Sequence, residues 1–163
     1  FTYEKPNLYF INYYLLDQVS NLTKKNSKKI ILSLSDTNLV SLYRSRFLSI
    51  IRKNIYMLLG NHNEFETLNV LKPELSTYVA HIYKTLGANG STYNYDNFLD
   101  SITTNVVDKN GAGDSFAAGV IYSHIKKKSK MTSLKWGTYL SSIIISVQGS
   151  ELPKSKSYYS FFK

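Results

Sequence analysis

The sequence of 163 residues contains no cysteine, which removes several kinds of site from consideration. Without thiols the chain cannot form a disulfide, a thiolate zinc centre or a cysteine nucleophile, and its composition fits a reducing compartment. We therefore expect a cytoplasmic location. No apolar run approaches the ~20 residues that a membrane-spanning helix needs. No secretory leader is visible, and because the chain begins at Phe1 rather than at a methionine we expect it to be a fragment.

Acidic residues are also scarce, with 11 acidic against 20 basic side chains and a formal net charge of +9. A basic balance is found in proteins that bind nucleic acid, membrane surfaces or small anionic substrates. The lysines here occur in short scattered clusters, which we interpret mainly as solvated helix ends and loops. We accordingly expect neither nucleic acid nor a membrane as a partner.

Short apolar runs alternate with helix-like segments, and the length suits a single domain over residues 1–163. Apolar strands that alternate with helical crossovers indicate an α/β fold, with a parallel sheet covered by helices on both faces. The segment 91–107 reads as short strands and turns. The predicted strands are 8–11, 29–35, 55–59 and 79–86, and the predicted helices are 15–25, 39–53, 113–128 and 132–148.

Polar tips follow three of these strands, at residues 33–36, 60–64 and 85–91. Ligands of open parallel sheets collect beyond the carboxyl ends of the strands. We therefore expect a binding site to draw residues from these tips.

A glycine-rich turn in residues 107–119 (VDKNGAGDSFAAG) precedes the helix predicted at 113–128. Gly111, Ala112 and Gly113 can present several backbone N–H groups to an anion such as phosphate. Asp114 would repel a phosphate that was merely bound there. Phosphoryl transfer explains the combination, because amides stabilise the migrating group while a carboxylate accepts the proton of the attacking hydroxyl. The alternative is that Asp114 simply caps the helix.

Residues 108–116 (DKNGAGDSF) closely resemble the D-T-x-G-A-G-D-x-F signature of the PfkB (ribokinase-like) carbohydrate and nucleoside kinases. Further segments match in the family's order: N-x-x-E at 61–64, T-x-G-x-x-G at 85–90, and the stretch 147–153 that closes the C-terminal helix. Residues 29–36, with Arg44 and Phe47 downstream, resemble the adenosine-kinase-like branch.

The resemblance implies a ribokinase-like (Rossmann-like) α/β core that is incomplete at the N-terminus. The chain corresponds to the C-terminal portion of the family, without the preceding half and the small β-sheet lid. Because lid closure excludes water from the reaction, we expect this fragment alone to be inactive.

The resemblance also implies roles for particular residues. Asp114 is the catalytic base, and Gly111, Ala112 and Gly113 form the anion hole. Asn61 and Glu64 organise Mg²⁺ and its water, and the alternative for this pair is a polar strand-to-helix loop that caps the helix.

Thr85, Gly87 and Gly90 shape the phosphate and ribose side of the ATP site, to which Asn110 also contributes; the alternative is a plain turn. Asp108 matches the acid that helps to hold a monovalent cation such as K⁺, and the alternative is a turn-forming aspartate.

The function implied is ATP-dependent phosphorylation of an alcohol group on a sugar or nucleoside, with adenosine or a related ribosyl compound favoured. The partners are then a small-molecule substrate and, for the full-length protein, a second copy in a homodimer. Lys109 replaces the usual threonine, and the segments 64–85 and 91–108 are short for the family. These departures leave open a degenerate, non-catalytic member that binds nucleotide or a partner chain.

Overall fold

The computed structural model describes residues 29–53, 55–154 and 160–162, and the backbone of residues 8–11. The chain divides into two compact units, residues 1–84 and 85–163. The helix predicted at 15–25 falls outside the described residues. None of the helices within these ranges is both long enough and apolar enough to cross a bilayer.

The first unit is built on parallel strands. The first three strands along the chain pair with one another in parallel, and the fourth strand lies beside the third. Ile31 of the second strand lies opposite Met57 of the third. Ile30, Ile31 and Leu32 are all buried. Because successive residues of a strand face opposite sides of the sheet, both faces are covered, as predicted. The strands are β1 (Leu8–Ile11), β2 (Lys29–Ser33), β3 (Ile55–Asn61) and β4 (Val79–Thr85).

The single helix predicted at 39–53 is wrong, because two helices occupy this segment: α1 (Thr37–Leu42) and α2 (Arg44–Ile51). Tyr43 interrupts them, with φ −119° and ψ 26°. Next to the break, the guanidinium of Arg44 donates to the carbonyls of Leu68 and Asn69, at 2.8 and 3.0 Å. Because these partners are 24 and 25 residues apart, the local periodicity of the sequence could not predict the contact.

Two further helices that the sequence pattern did not predict follow β3, which runs two residues beyond its predicted end. They are α3 (His62–Leu68) and α4 (Lys72–Tyr78), each of 7 residues. Asn69 ends the first in the left-handed conformation, and Pro73 lies in the first turn of the second. Two helical turns carry too few apolar repeats for the pattern to be recognised.

The second unit combines a β-hairpin with two longer helices. A 3₁₀ turn (Gly87–Asn89) leads into the antiparallel strands β5 (Ser91–Tyr93) and β6 (Asn97–Leu99), which confirms the short strands and turns predicted for this region. The helices α5 (Ala112–Ile125) and α6 (Lys130–Ile144) end three to four residues before their predicted termini.

The two helices of the second unit pack closely against each other. A Cβ atom at Gly119 would lie 2.5 Å from the carbonyl oxygen of Trp136, so only glycine allows this approach. Ser133 donates its hydroxyl hydrogen to Ser123 in a buried bond of 3.0 Å. This packing holds the start of α5, where the candidate site lies.

Candidate functional site

The turn before α5 places Asp114 in the first turn of the helix. The N-cap residue is Gly111, with φ 76°, and within the described part of the chain no side chain makes a capping bond to this helix. Asp114 is the third helical residue and is exposed. The capping alternative for this aspartate is therefore wrong, and its carboxylate stays accessible to solvent.

The backbone amides of this turn have few partners within the helix. Ser115 makes the first helical bond, its N–H donating to the carbonyl of Gly111 at 2.9 Å, and Ala112 donates to Lys109 at 3.3 Å. The amides of Gly113 and Asp114 precede the i−4 ladder, as in the first turn of any helix. A Cβ atom at Gly113 would meet no heavy atom within 4 Å, so there is open space beside these donors.

The segment 148–151 packs against the turn from the other side. A Cβ atom at Gly111 would lie 3.1 Å from the Cβ of Ser150, and the positive φ also disfavours any other residue there. Sequence reasoning did not identify Ser150. The match of residues 147–153 to the family could have indicated that this segment lies near the site.

Asp108 links the two segments through its carboxylate. Oδ1 accepts from the backbone N–H of Asn110 at 2.9 Å, and Oδ2 accepts from the N–H of Gly149 at 3.0 Å. Longer contacts come from the side-chain amides of Asn110 and Gln148, at 3.5 and 3.4 Å. The N–H of Asn110, followed by that of Gly149, holds the pKa of Asp108 below its usual value. Asp108 thus forms the turn that the alternative proposed, while its role toward a cation stays a prediction.

The turn after β4 contains Gly87 and Gly90, both with positive φ, of 60° and 93°. The N–H of Leu86 donates to the carbonyl of Gly90 at 2.8 Å, which closes the turn. A Cβ atom at Gly90 would overlap the carbonyl oxygen of Leu99 in β6. Thr85, the last residue of β4, is half-buried directly before this turn.

Asn61 and Glu64 form a reciprocal capping box at the start of α3. The Asn61 side chain accepts from the N–H of Glu64 at 2.9 Å, and Glu64 Oε2 accepts from the N–H of Asn61 at 2.8 Å. Asn61 Nδ2 donates to Glu64 Oε1, also at 2.8 Å. The capping alternative is therefore present in the structure, and the magnesium role stays a prediction.

The carboxyl group of Glu64 is buried, with 5% of the residue exposed. Burial raises its pKa above the usual value, against the opposing hydrogen bond from the backbone of Asn61, and the nearby carboxylate of Asp36 adds to the rise. Asp36 also caps α1, accepting from the N–H groups of Asn38 and Leu39. Its electrostatic contact with Glu64 was not predicted, although it lies in the polar tip that follows β2.

The predicted residues fall into one group in the first unit and two in the second. Asn61 and Glu64 bond directly to each other; Thr85, Gly87 and Gly90 share one turn; and Asp108 and Asn110 lie in the turn that leads to Asp114. Within the part of the chain that the structure describes, no group of three or more His, Cys, Asp or Glu residues could hold a metal ion.

Three solved structures share the fold of this chain. The chain spans about half the length of each of those proteins. An adenosine kinase from Sinorhizobium meliloti is 22% identical with a TM-score of 0.85, and the match covers 96% of this chain and 54% of that one. A probable sugar kinase from Rhizobium etli CFN 42 is 21% identical with a TM-score of 0.81, covering 96% and 54%. An adenosine kinase from Schistosoma mansoni in complex with 2-fluoroadenosine is 23% identical with a TM-score of 0.79, covering 95% and 55%.

These likenesses confirm the predicted ribokinase-like α/β fold. No curated protein matches the sequence. The family described as pfkB family carbohydrate kinase matches residues 14–157, which is most of the chain and includes every predicted site residue. The chain therefore belongs to the pfkB family of carbohydrate kinases.

Proposed function

We propose that the complete protein transfers a phosphoryl group from ATP to an alcohol group of a sugar or nucleoside. The observation that carries this proposal is the exposed carboxylate of Asp114 in the first turn of α5, beside open space at Gly113. In a pfkB family chain, a carboxylate beside first-turn amides combines an acceptor for a proton with donors for a developing negative charge.

In this mechanism Asp114 accepts the proton of the acceptor hydroxyl as its oxygen attacks the terminal phosphorus of ATP. The bond between that phosphorus and the bridging oxygen breaks, and ADP leaves with the electron pair. The backbone amides of Gly111 and Gly113 donate to the migrating phosphoryl group, and that of Ala112 joins them by releasing its 3.3 Å bond to the Lys109 carbonyl. The group thus gains stabilisation where charge accumulates. Asp114 itself only removes the proton.

We assign the nucleotide to the turns that precede and follow the β5–β6 hairpin. Gly87 and Gly90 leave the turn after β4 without side chains at two positions, so a phosphate or ribose can approach the backbone there. Thr85 adds a hydroxyl at the end of β4, and Asn110 adds an amide next to the anion hole.

Oxygen donors suit the hard cations that accompany ATP. Asn61 and Glu64 supply only oxygen and amide groups, and each carboxylate oxygen of Glu64 keeps a lone pair beyond its bond in the capping box. These residues would hold Mg²⁺ through its waters, and the ion would neutralise charge on the phosphates. Asp108 would serve a monovalent cation such as K⁺ next to the anion hole.

Membership of the family does not by itself identify the acceptor, so the substrate assignment needs further support. Two of the similar solved structures are adenosine kinases, and residues 29–36 with Arg44 and Phe47 resemble that branch. Arg44 joins α2 to the end of α3, and Phe47 is fully buried. Adenosine or a related ribosyl compound is therefore our favoured acceptor.

We further propose that residues 1–163 act as the C-terminal portion of one ribokinase-like domain in a longer, homodimeric protein of the cytoplasm. The fragment by itself would then lack the lid that shields the reaction from water, and we expect no phosphate transfer from it.

A second candidate is a non-catalytic relative that binds nucleotide or a partner chain. The capping box favours it, since both carboxylate oxygens of Glu64 already have structural partners. Lys109, in place of the family's threonine, also departs from the catalytic signature. Isothermal titration with ATP and Mg²⁺, followed by a transfer assay over sugars and nucleosides, separates the two candidates. Binding without transfer to any acceptor would favour the second.

The test of the catalytic role is Asp114→Asn in the complete gene product. Since a general base contributes about 100-fold or more, we expect kcat to fall by at least that factor while ATP still binds. Asp96→Asn is the matched control, because it removes an exposed carboxylate from the β5–β6 turn and should leave kcat unchanged. An Asp114→Asn variant with more than about a tenth of the wild-type rate would refute the assignment.

A further inference from the structure

The α5–α6 helix pair has a one-sided charge. Residues 115–150 include five lysines and one histidine but no aspartate or glutamate. Three of the lysines, Lys126, Lys127 and Lys128, are consecutive and exposed in the turn between the helices. The one acidic residue of the two helices is Asp114 in the first turn of α5, about 18 Å along the helix from Lys126, so neither helix supplies a carboxylate beside the three lysines.

The backbone holds this turn in a fixed shape. The N–H of Lys127 donates to the carbonyl of His124 at 3.1 Å, and the N–H of Lys128 donates to that of Ser123 at 3.0 Å. These two bonds form a Schellman motif at the end of α5. Ser123 is itself tied to α6 through its buried bond with Ser133. The backbone from which the three lysine side chains project is thus held in one arrangement relative to both helices.

The residue at the left-handed position of this motif is unusual. Lys127 has φ 53°, where glycine is the common residue because a Cβ atom is disfavoured. A lysine here lowers the stability of the turn relative to glycine. A charged, exposed residue that is kept in a disfavoured backbone conformation points to a use for its charge.

Exposed apolar side chains precede and follow these lysines along the chain. Ile125 is 59% exposed, Tyr122 41% and Met131 37%. Tyr122 and Ile125 are three residues apart and share a face of α5, and Lys126 Nζ lies 5.5 Å from the centre of the Tyr122 ring. We call Tyr122, Ile125, Met131 and the three lysines the lysine tip.

We propose that the lysine tip is a docking surface for an acidic, amphipathic segment of a partner protein. Carboxylates of the segment would pair with the three lysines, and its apolar side chains would cover Ile125 and Met131. A protein segment is favoured over a lipid surface or a nucleic acid. Lipid surfaces and nucleic acids attract basic residues through their charge density, and this attraction does not require the basic residues to have one fixed geometry. A strained, hydrogen-bonded turn is of use to a partner whose own charges are fixed.

The test uses a displayed library of acidic amphipathic helices, selected on the complete protein. Enriched peptides are then measured by fluorescence anisotropy against Lys128→Glu, Ile125→Ser and the matched control Lys53→Glu, an exposed lysine outside the tip. We expect the first two variants to weaken binding about tenfold, as loss of one good contact at an interface does, and Lys53→Glu to have little effect.

Lys127→Gly separates binding from folding. Relief of the left-handed strain should raise Tm by about 2–4 °C, whereas loss of the charge should weaken peptide binding several-fold. The proposal is overturned if no peptide is enriched, or if the enriched peptides bind Lys128→Glu and Lys53→Glu equally. It is also overturned if peptides with every apolar residue changed to serine bind as tightly, or if phosphatidylserine vesicles or RNA compete as well as the peptides do.

Discussion

Replacement of Glu64 by glutamine tests whether this residue has a role beyond the capping box. The wild-type carboxylate accepts two hydrogen bonds of 2.8 Å from Asn61, one at each oxygen. Glutamine has one carbonyl oxygen, so it retains one of these bonds and loses the other. The loss costs about 1 kcal/mol, which corresponds to about 2–4 °C in Tm for a chain of this size.

The buried charge of Glu64 acts in the opposite direction at neutral pH. Because burial raises its pKa above 4.5, the folded state binds the proton more tightly than the unfolded state. The stability that Glu64 contributes through this tighter proton binding is complete below pH 4.5, and it is lost as the pH rises through the folded-state pKa. Glutamine does not titrate, so the variant should gain stability relative to the wild type between pH 4 and pH 7.

The assay measures Tm and kinase activity on the same preparations of the complete gene product. We expect the Tm of Glu64→Gln to stay within about 4 °C of the wild type at pH 7. If Glu64 orients the ligands of Mg²⁺ as proposed, Mg²⁺-dependent kcat/KM should fall about 10- to 100-fold. Glu66→Gln is the control, since Glu66 lies on the same helix and its side chain is exposed. Its carboxylate lies 3.4 Å from Lys84 Nζ and 3.8 Å from His62 Nδ1. Full kinase activity in Glu64→Gln would refute a metal role and show that Glu64 only caps the helix. A loss of stability of this variant relative to the wild type toward pH 7 would refute the argument from the buried charge.

Two further predictions concern the second unit. Gly90→Ala should destabilise the protein by about 3 kcal/mol, because alanine at a positive φ is strained and its Cβ would also overlap the Leu99 carbonyl. Gly87→Ala should cost only about 1 kcal/mol, because a Cβ atom there would meet no heavy atom within 4 Å. Equal losses of stability in urea unfolding would contradict this. Asp108→Asn should lower Tm near pH 7, and the difference should shrink as the pH falls below 3.8. A lowered pKa gives stability that is present above 3.8 and is lost as the pH falls through the folded-state pKa. A Tm difference that stays constant with pH would show that the carboxylate charge is not involved.

Local patterns in the sequence predicted much of the fold, including a helix that starts beside Asp114. The apolar runs predicted parallel strands because a strand buried on both faces has to be apolar at consecutive positions. Helix α5 was predicted to begin beside Asp114 because glycines followed by small and apolar residues are a local signal for a turn and a helix start. The capping box of Asn61 and Glu64 is likewise local, since its partners are three residues apart.

Only tertiary contacts decided the remaining features. The break at Tyr43 lies beside the bonds from Arg44 to carbonyls 24 and 25 residues away, and Asp108 reaches Gly149 at a separation of 41 residues. Gly111 is confined by Ser150, and Lys127 takes its strained conformation within a turn anchored by the packing of α5 on α6. A local pattern records which conformations a segment prefers. Which distant atom satisfies a given carboxylate or guanidinium depends on where the folded chain places it.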